Sequence, residues 1–294
     1  MSDATVSMLK LPDGRSLEVR RVGEPTLGTL TYHHGTPSAA VEFDLLELAA
    51  VAEGFEVLCW SRPGYGTSTP HPGRRVVDDL VATRAVLQHF DVDAFVALGW
   101  SGGGPHALAA ATLETCRGVA TLGGVAPSDA PDLDFLAAMA RANVEEFTLA
   151  AEDGPAFAAA LEAGAAIFPS LTVADLEGVL DGLLAPADLA LLDGPLGHHL
   201  LASLGHAVAS GPAGWHDDDR CFLMPWGFSV GAVEVPALVV HGGADQMVPV
   251  AHGRWLATHL PRGELLILDD DGHLSPWRLV ADLCARLAEE LRRS

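Results

Sequence analysis

Three side chains, far apart in the chain, have the types that nucleophilic acyl transfer needs. Ser101 lies in "LGWSGGGPHALAAATL", where Gly99, Ser101 and Gly103 fit G-x-S-x-G. Apolar residues lead into the motif and an alanine-rich helical pattern leaves it, so the serine falls on a strand-to-helix turn. A turn that sharp strains the serine backbone, and side chains at 99 or 103 would strike the neighbouring strand and helix. A flexible loop and a phosphate cradle use the same residue types. The cradle is disfavoured because no Lys-Ser/Thr follows the glycines.

A serine hydroxyl is a weak nucleophile without a base, and on such a turn the partners should follow in the order acid, then histidine. Asp245 in "VVHGGADQMVP" and His273 in "LILDDDGHLSPW" do so, each just after a strand-like run. Alone, Asp245 reads as a turn-forming aspartate and His273 as a histidine at a helix start. With Ser101 they meet three independent positional demands. The oxyanion formed on attack needs two donors. Gly102 offers the N–H after the nucleophile, and Thr36 in "HHGTPSA" offers another, with Gly35 allowing close approach and Pro37 stiffening the loop. His34, Trp100 and Trp226 are candidate substrate contacts, although His34 reads equally as a brace for its loop and the tryptophans as packing.

Strands that could carry this set run through "TVSMLKL", "SLEVRRV", "GTLTYHH", "FEVLCW", "AFVALGW", "GVATLGGVA", "VPALVVHGG" and "GELLILD". From the third onward they alternate with helical patterns such as "FDLLELAAVAE", "VVDDLVATRAVLQHF" and "PWRLVADLCARLAEELRR". That alternation predicts an α/β fold with helices on both faces of a mostly parallel sheet. Residues 128–228 break the pattern: they are helix-like and rich in alanine, leucine and acids. They read as a helical insertion into a core formed by 1–127 and 229–294.

These residues resemble the α/β-hydrolase superfamily, specifically its capped members with a serine nucleophile, of esterase or proline iminopeptidase type. "HGTP" looks like the family's oxyanion loop and "RPGYGTS" like its loop after the fourth strand. "GWSGGG" looks like its nucleophile elbow, and "GGADQMVP" and "DGH" like its acid and base loops. The resemblance implies an eight-stranded α/β-hydrolase fold with a helical cap after strand six. It carries over Ser101, Asp245 and His273 as the triad, with Thr36 and Gly102 as the oxyanion hole. Ser61 departs from the pattern, since many relatives carry aspartate there. The expected activity is a cofactor-free serine hydrolase that cleaves the carboxylic ester of a small, neutral or amine-bearing substrate through an acyl-enzyme. A proline iminopeptidase-like aminopeptidase and a slow-turnover receptor are the alternatives. Aspartate-nucleophile dehalogenases and epoxide hydrolases are excluded by Ser101, and the only tyrosines, Tyr32 and Tyr65, lie outside the insertion.

Composition narrows the partners. The 294 residues carry a formal net charge of −22 and a single lysine, Lys10. Such a surface repels phosphate backbones and anionic lipid, so neither nucleic acid nor membrane is an expected partner. Cys59, Cys116, Cys221 and Cys284 form no paired motif, which predicts reduced, buried thiols and no zinc site. No apolar leader or membrane-length run is present, giving a cytoplasmic expectation. Within the insertion, Glu145, Glu146, Glu152, Asp153 and the run Asp217–Asp219 read first as a solvated acidic surface, and second as a preference for amines. The aspartate run is further expected at a helix N-terminus, and His252 and His259 on exposed helix positions.

Overall fold

The computed structural model describes residues 4–293. Strands β1 (Thr5–Lys10) and β2 (Ser16–Val22) form a hairpin, followed by β3 (Gly28–His33), helix α1 (Asp44–Ala52) and β4 (Phe55–Trp60). Then come α2 (Leu80–His89), β5 (Phe95–Trp100), α3 (Gly103–Ala110) and β6 (Cys116–Leu122). After the insertion the alternation resumes with β7 (Ala237–Gly242), which is followed in turn by a helix at Val250–His259, β8 (Gly263–Leu268) and a last helix at Val280–Arg292. The strands make one sheet in the order β1-β2-β4-β3-β5-β6-β7-β8, antiparallel at β1/β2 and β2/β4 and parallel across the rest.

Period-two alternation decides which face each strand residue packs on. Val96 and Leu98 point into the cluster under α1 and the last helix, whereas Phe95 and Ala97 point into the cluster under α3 and the helix after β7. The last helix presents Val280, Leu283, Cys284, Leu287, Ala288 and Leu291 to the first cluster, a one-sided stripe at helical spacing. All four cysteines are buried and free.

Between β6 and β7 lie only helices: α4 (Arg141–Glu152), α5 (Pro155–Ile167), α6 (Val173–Val179), α7 (Pro186–Leu189), α8 (Pro195–Ala207) and α9 (Ala213–Leu223). The two helices after β7 are therefore α10 (Val250–His259) and α11 (Val280–Arg292). Two expectations need correction here. Asp217, Asp218 and Asp219 are mid-helix in α9 and buried, because each reaches inward and not to solvent. His252 is fully buried in α10, taking the Ala126 N–H on one ring nitrogen and meeting the Phe135 carbonyl with the other. Glu145, Glu152 and Asp153 do lie at the surface.

Candidate active site

The β5–α3 turn places Ser101 with φ +53°, the left-handed region that costs a residue with a side chain about 1–2 kcal/mol. The Ser101 N–H is held by the Leu122 carbonyl at 2.9 Å, and its own carbonyl accepts the Gly104 N–H at 2.9 Å. The flanking glycines are there for room. A Cβ on Gly99 would sit 2.5 Å from the Gly103 carbonyl, and one on Gly103 would run into the His33 and His34 carbonyls.

Asp245 and His273 come from the loops after β7 and β8. Asp245 Oδ1 accepts the N–H groups of Met247 and Val248 at 2.9 Å each, and Oδ2 pairs with His273 Nδ1 at 2.7 Å. The bonded Nδ1–H leaves Nε2 as the free ring nitrogen. Burial alone would depress the imidazole's pKa, but the charge and hydrogen bond of Asp245, with Asp188 adding, hold it above the ordinary histidine value. The ring and Ser101 line the same cavity, of about 340 Å³. Among the described residues no hydrogen bond joins the Ser101 hydroxyl to the imidazole. Such bonds are commonly loose before substrate binds, and a hydroxyl reorients by rotation about one bond.

Thr36 and Gly102 meet above the sheet: a Cβ on Gly102 would collide with the Thr36 side chain and lie 2.8 Å from the Phe222 ring. No hydrogen bond among the described residues occupies the backbone N–H of either residue, and both line the cavity. The loop is held from behind. Arg62 donates to the Gly35 carbonyl at 2.8 Å and to Thr36 Oγ1 at 3.0 Å, while Thr36 Oγ1 donates to Asp218 Oδ2 at 2.6 Å. Asp218 also receives Tyr65 at 2.9 Å, Arg62 at 2.5 Å and Arg74. Burial disfavours its ionisation, yet the two guanidiniums keep its pKa well below the carboxylate range. Ser61 donates to Glu18 Oε1 at 3.0 Å and accepts the Ala40 N–H at 3.0 Å.

The remaining expected contacts divide. Trp100 lines the cavity, its ring centroid 5.8 Å from that of His273. His34 does not: it is fully buried, with Nδ1 on the Gly35 carbonyl and Nε2 accepting the Arg62 N–H, so it braces the loop. Trp226 does not either. It is buried against Phe228 in the cluster beneath α3.

Sequence reasoning missed five carboxylates. Asp218 was expected in solvent; Asp188 and Glu18 carried no signal because their partners are distant in the chain. The other two form a pair. Glu146 of α4 and Asp219 of α9 both line the cavity, and Trp215 Nε1 donates to Glu146 at 2.8 Å. Burial, and then the Glu146 charge, pushes the Asp219 pKa well above the ordinary carboxylate value, and burial also raises that of Glu146. A wider cleft of about 520 Å³ opens at the amino ends of β6 and β7, near Glu114, Arg117, Arg262 and Glu290. It contains neither Ser101 nor His273 and lies at the opposite sheet edge. Among the described residues no group of three His, Cys, Asp or Glu side chains is arranged to hold a metal, and no helix is long and apolar enough to cross a membrane.

Comparison with known proteins bears on the fold. A family profile described as "alpha/beta hydrolase fold" matches residues 28–161. A pimeloyl-[acyl-carrier protein] methyl ester esterase from Aromatoleum aromaticum is 37% identical over 68 residues, a stretch spanning 23% of this chain and 27% of that protein. An esterase from Exiguobacterium antarcticum superposes with TM-score 0.68 at 16% identity, over 98% of this chain and 100% of its own. A bromoperoxidase from Bacillus anthracis does so with TM-score 0.70 at 18% identity, again over 98% and 100%. At these identities the structural likeness establishes the fold, and the fold is that of the α/β hydrolases.

Proposed function

We propose, from an α/β-hydrolase fold whose sheet edge carries a serine and an imidazole in one cavity, that this chain is a serine hydrolase acting on carboxylic esters. The observation that carries the reading is the 2.7 Å Asp245–His273 hydrogen bond in the cavity that Ser101 enters from its strained turn. His273 Nε2 takes the Ser101 proton as Oγ attacks the ester carbonyl, and Asp245 stabilises the resulting imidazolium. The Thr36 and Gly102 N–H groups receive the oxyanion. Collapse breaks the C–O bond, His273 returns its proton to the departing alkoxide, and an alcohol leaves the acyl-enzyme. Water, deprotonated by His273, then attacks the acyl carbon; the proton passes to Ser101 Oγ as it departs, and the carboxylic acid is released.

The cavity wall supports a small, largely apolar acyl group, with Phe147, Phe168, Leu183, Trp215 and Phe222 around it. A second reading, an aminopeptidase of the proline iminopeptidase kind, draws support from the Glu146–Asp219 pair. A carboxyl pair whose pKa values are raised can lose a proton to solvent when an ammonium group arrives, and then hold that cation as a carboxylate.

Steady-state assays on p-nitrophenyl esters of short acids, alongside prolyl-naphthylamide, test both readings. Multiple turnover on the esters, lost in Ser101→Ala, is the expected result. Turnover that survives Ser101→Ala would overturn the mechanism, and preference for the naphthylamide would move the assignment to the aminopeptidase.

A further inference from the structure

Asp188 is fully buried on α7, a helix of the insertion, and all its acceptor capacity is spent on backbone. Oδ2 takes the N–H groups of Ala185 and His273 at 3.0 Å each; Oδ1 takes those of Leu274 at 2.9 Å and Ser275 at 2.7 Å. Three consecutive amides of the loop that carries the imidazole therefore converge on one side chain 85 residues or more away in sequence. The fit is close: a Cβ on Gly272 would collide with the Asp188 carboxylate and lie 2.7 Å from Ala185 Cβ. Ser275 Oγ closes the same turn by accepting the Gly272 N–H at 2.9 Å.

We propose that Asp188 is a positioning residue for His273, by which the helical insertion sets where the imidazole stands relative to Ser101. The idea rests on His273 being the general base of the proposed function. A ring's position follows its own backbone, and a displacement of about 1 Å in a reacting group is enough for a loss on the order of 10²-fold. Asp188 also acts through charge. The groups facing the ring are Asp245 from the β7 loop, Asp188 from α7, and His241 of β7, 3.6 Å from Asp245 Oδ2 and with its own pKa pushed down by burial. Both carboxylates favour the protonated imidazole, so removing one makes the ring easier to deprotonate.

The test is the pH profile of Asp188→Asn with the ester substrate. The expected result is a fall in kcat on the order of 10²-fold with little change in KM. The acid limb of kcat/KM should move to lower pH. A purely structural role lowers the melting temperature but leaves that limb where it is in the wild type. Asp188→Glu retains the charge while shifting the acceptors by one methylene, so it should keep the wild-type limb while losing kcat. An unchanged limb together with unchanged kcat in Asp188→Asn would overturn the proposal. Failure of the underlying reading looks different: His273→Ala would then retain activity. The imidazole titration, followed directly by NMR in wild type and Asp188→Asn, still reports whether Asp188 acts on the ring. Should Asp188→Asn not fold, amide exchange in the wild type decides. Core-level protection of the His273, Leu274 and Ser275 N–H groups supports the tether, and loop-like exchange contradicts it.

Discussion

The sheet edge and the helical insertion use carboxylates in opposite ways. At the sheet edge Asp245 is held by amides two and three residues on and by one imidazole, so its environment is almost entirely local. In the insertion, Asp218 and Asp188 hold loops that are 156 and 85 residues away, as the Arg62 and His273 contacts measure. The difference separates two jobs. Local turns present the groups proposed to react, and distant buried charges hold the loops that bear them.

The largest effects should come from the sheet edge. Ser101→Ala is expected to reduce ester turnover to background, and Asp245→Asn to lower kcat on the order of 10⁴-fold by leaving the imidazole in the wrong tautomer. An Asp245→Asn enzyme within tenfold of wild type would break the division of labour proposed here.

The insertion should act first on stability. Asp218→Ala leaves the buried Arg62 and Arg74 without their shared carboxylate, which should cost about 3–5 kcal/mol in urea unfolding. It also removes the acceptor of the Thr36 hydroxyl and loosens the Arg62 side chain behind that loop, so the remaining folded enzyme should lose kcat. A loss below about 1 kcal/mol would mean that the network is not fully desolvated in solution.

The pH dependence sharpens the contrast. The proposed mechanism needs a neutral His273, whose pKa lies above the ordinary value, so kcat/KM should rise with pH through a limb displaced upward from that value. Glu18 gives a separate acid effect. Burial opposes its ionisation, but the His206, Thr67 and Ser61 hydrogen bonds bring its pKa down to about 2. A carboxylate depressed in the folded state stabilises above its unfolded value and loses that contribution as pH falls through the folded one. The Glu18 share of stability should thus fade between roughly pH 4.5 and 2 and be absent in Glu18→Gln. The smallest effect is expected at Glu145, an exposed α4 residue paired with Arg141, where Glu145→Ala should change stability by no more than about 0.5 kcal/mol.

The same contrast explains what could be read from the residues alone. The strand pattern and the β5–α3 turn were legible because alternation, helical stripes and flanking glycines are short-range signals. The pairing of Asp245 with His273 was legible because each follows a strand end at one sheet edge. Asp188 looks like any polar residue in "APADLALL", and Asp218 like one of three surface acids, because burial depends on which helix face meets the core. His34 and Trp226 were misplaced as substrate contacts for the same reason. Proximity to a motif in sequence does not say which way a side chain points. His34 turns back to brace its own loop, and Trp226 packs beneath α3.

The central claim is that Ser101 carries the acyl group between two half-reactions. Intact-mass and peptide-mapping spectrometry of enzyme quenched during turnover of a short p-nitrophenyl ester tests this directly. The account predicts a single acyl adduct on the peptide containing Ser101, absent in Ser101→Ala and formed far more slowly in His273→Ala. An adduct on another residue, or steady turnover by Ser101→Ala, would contradict it.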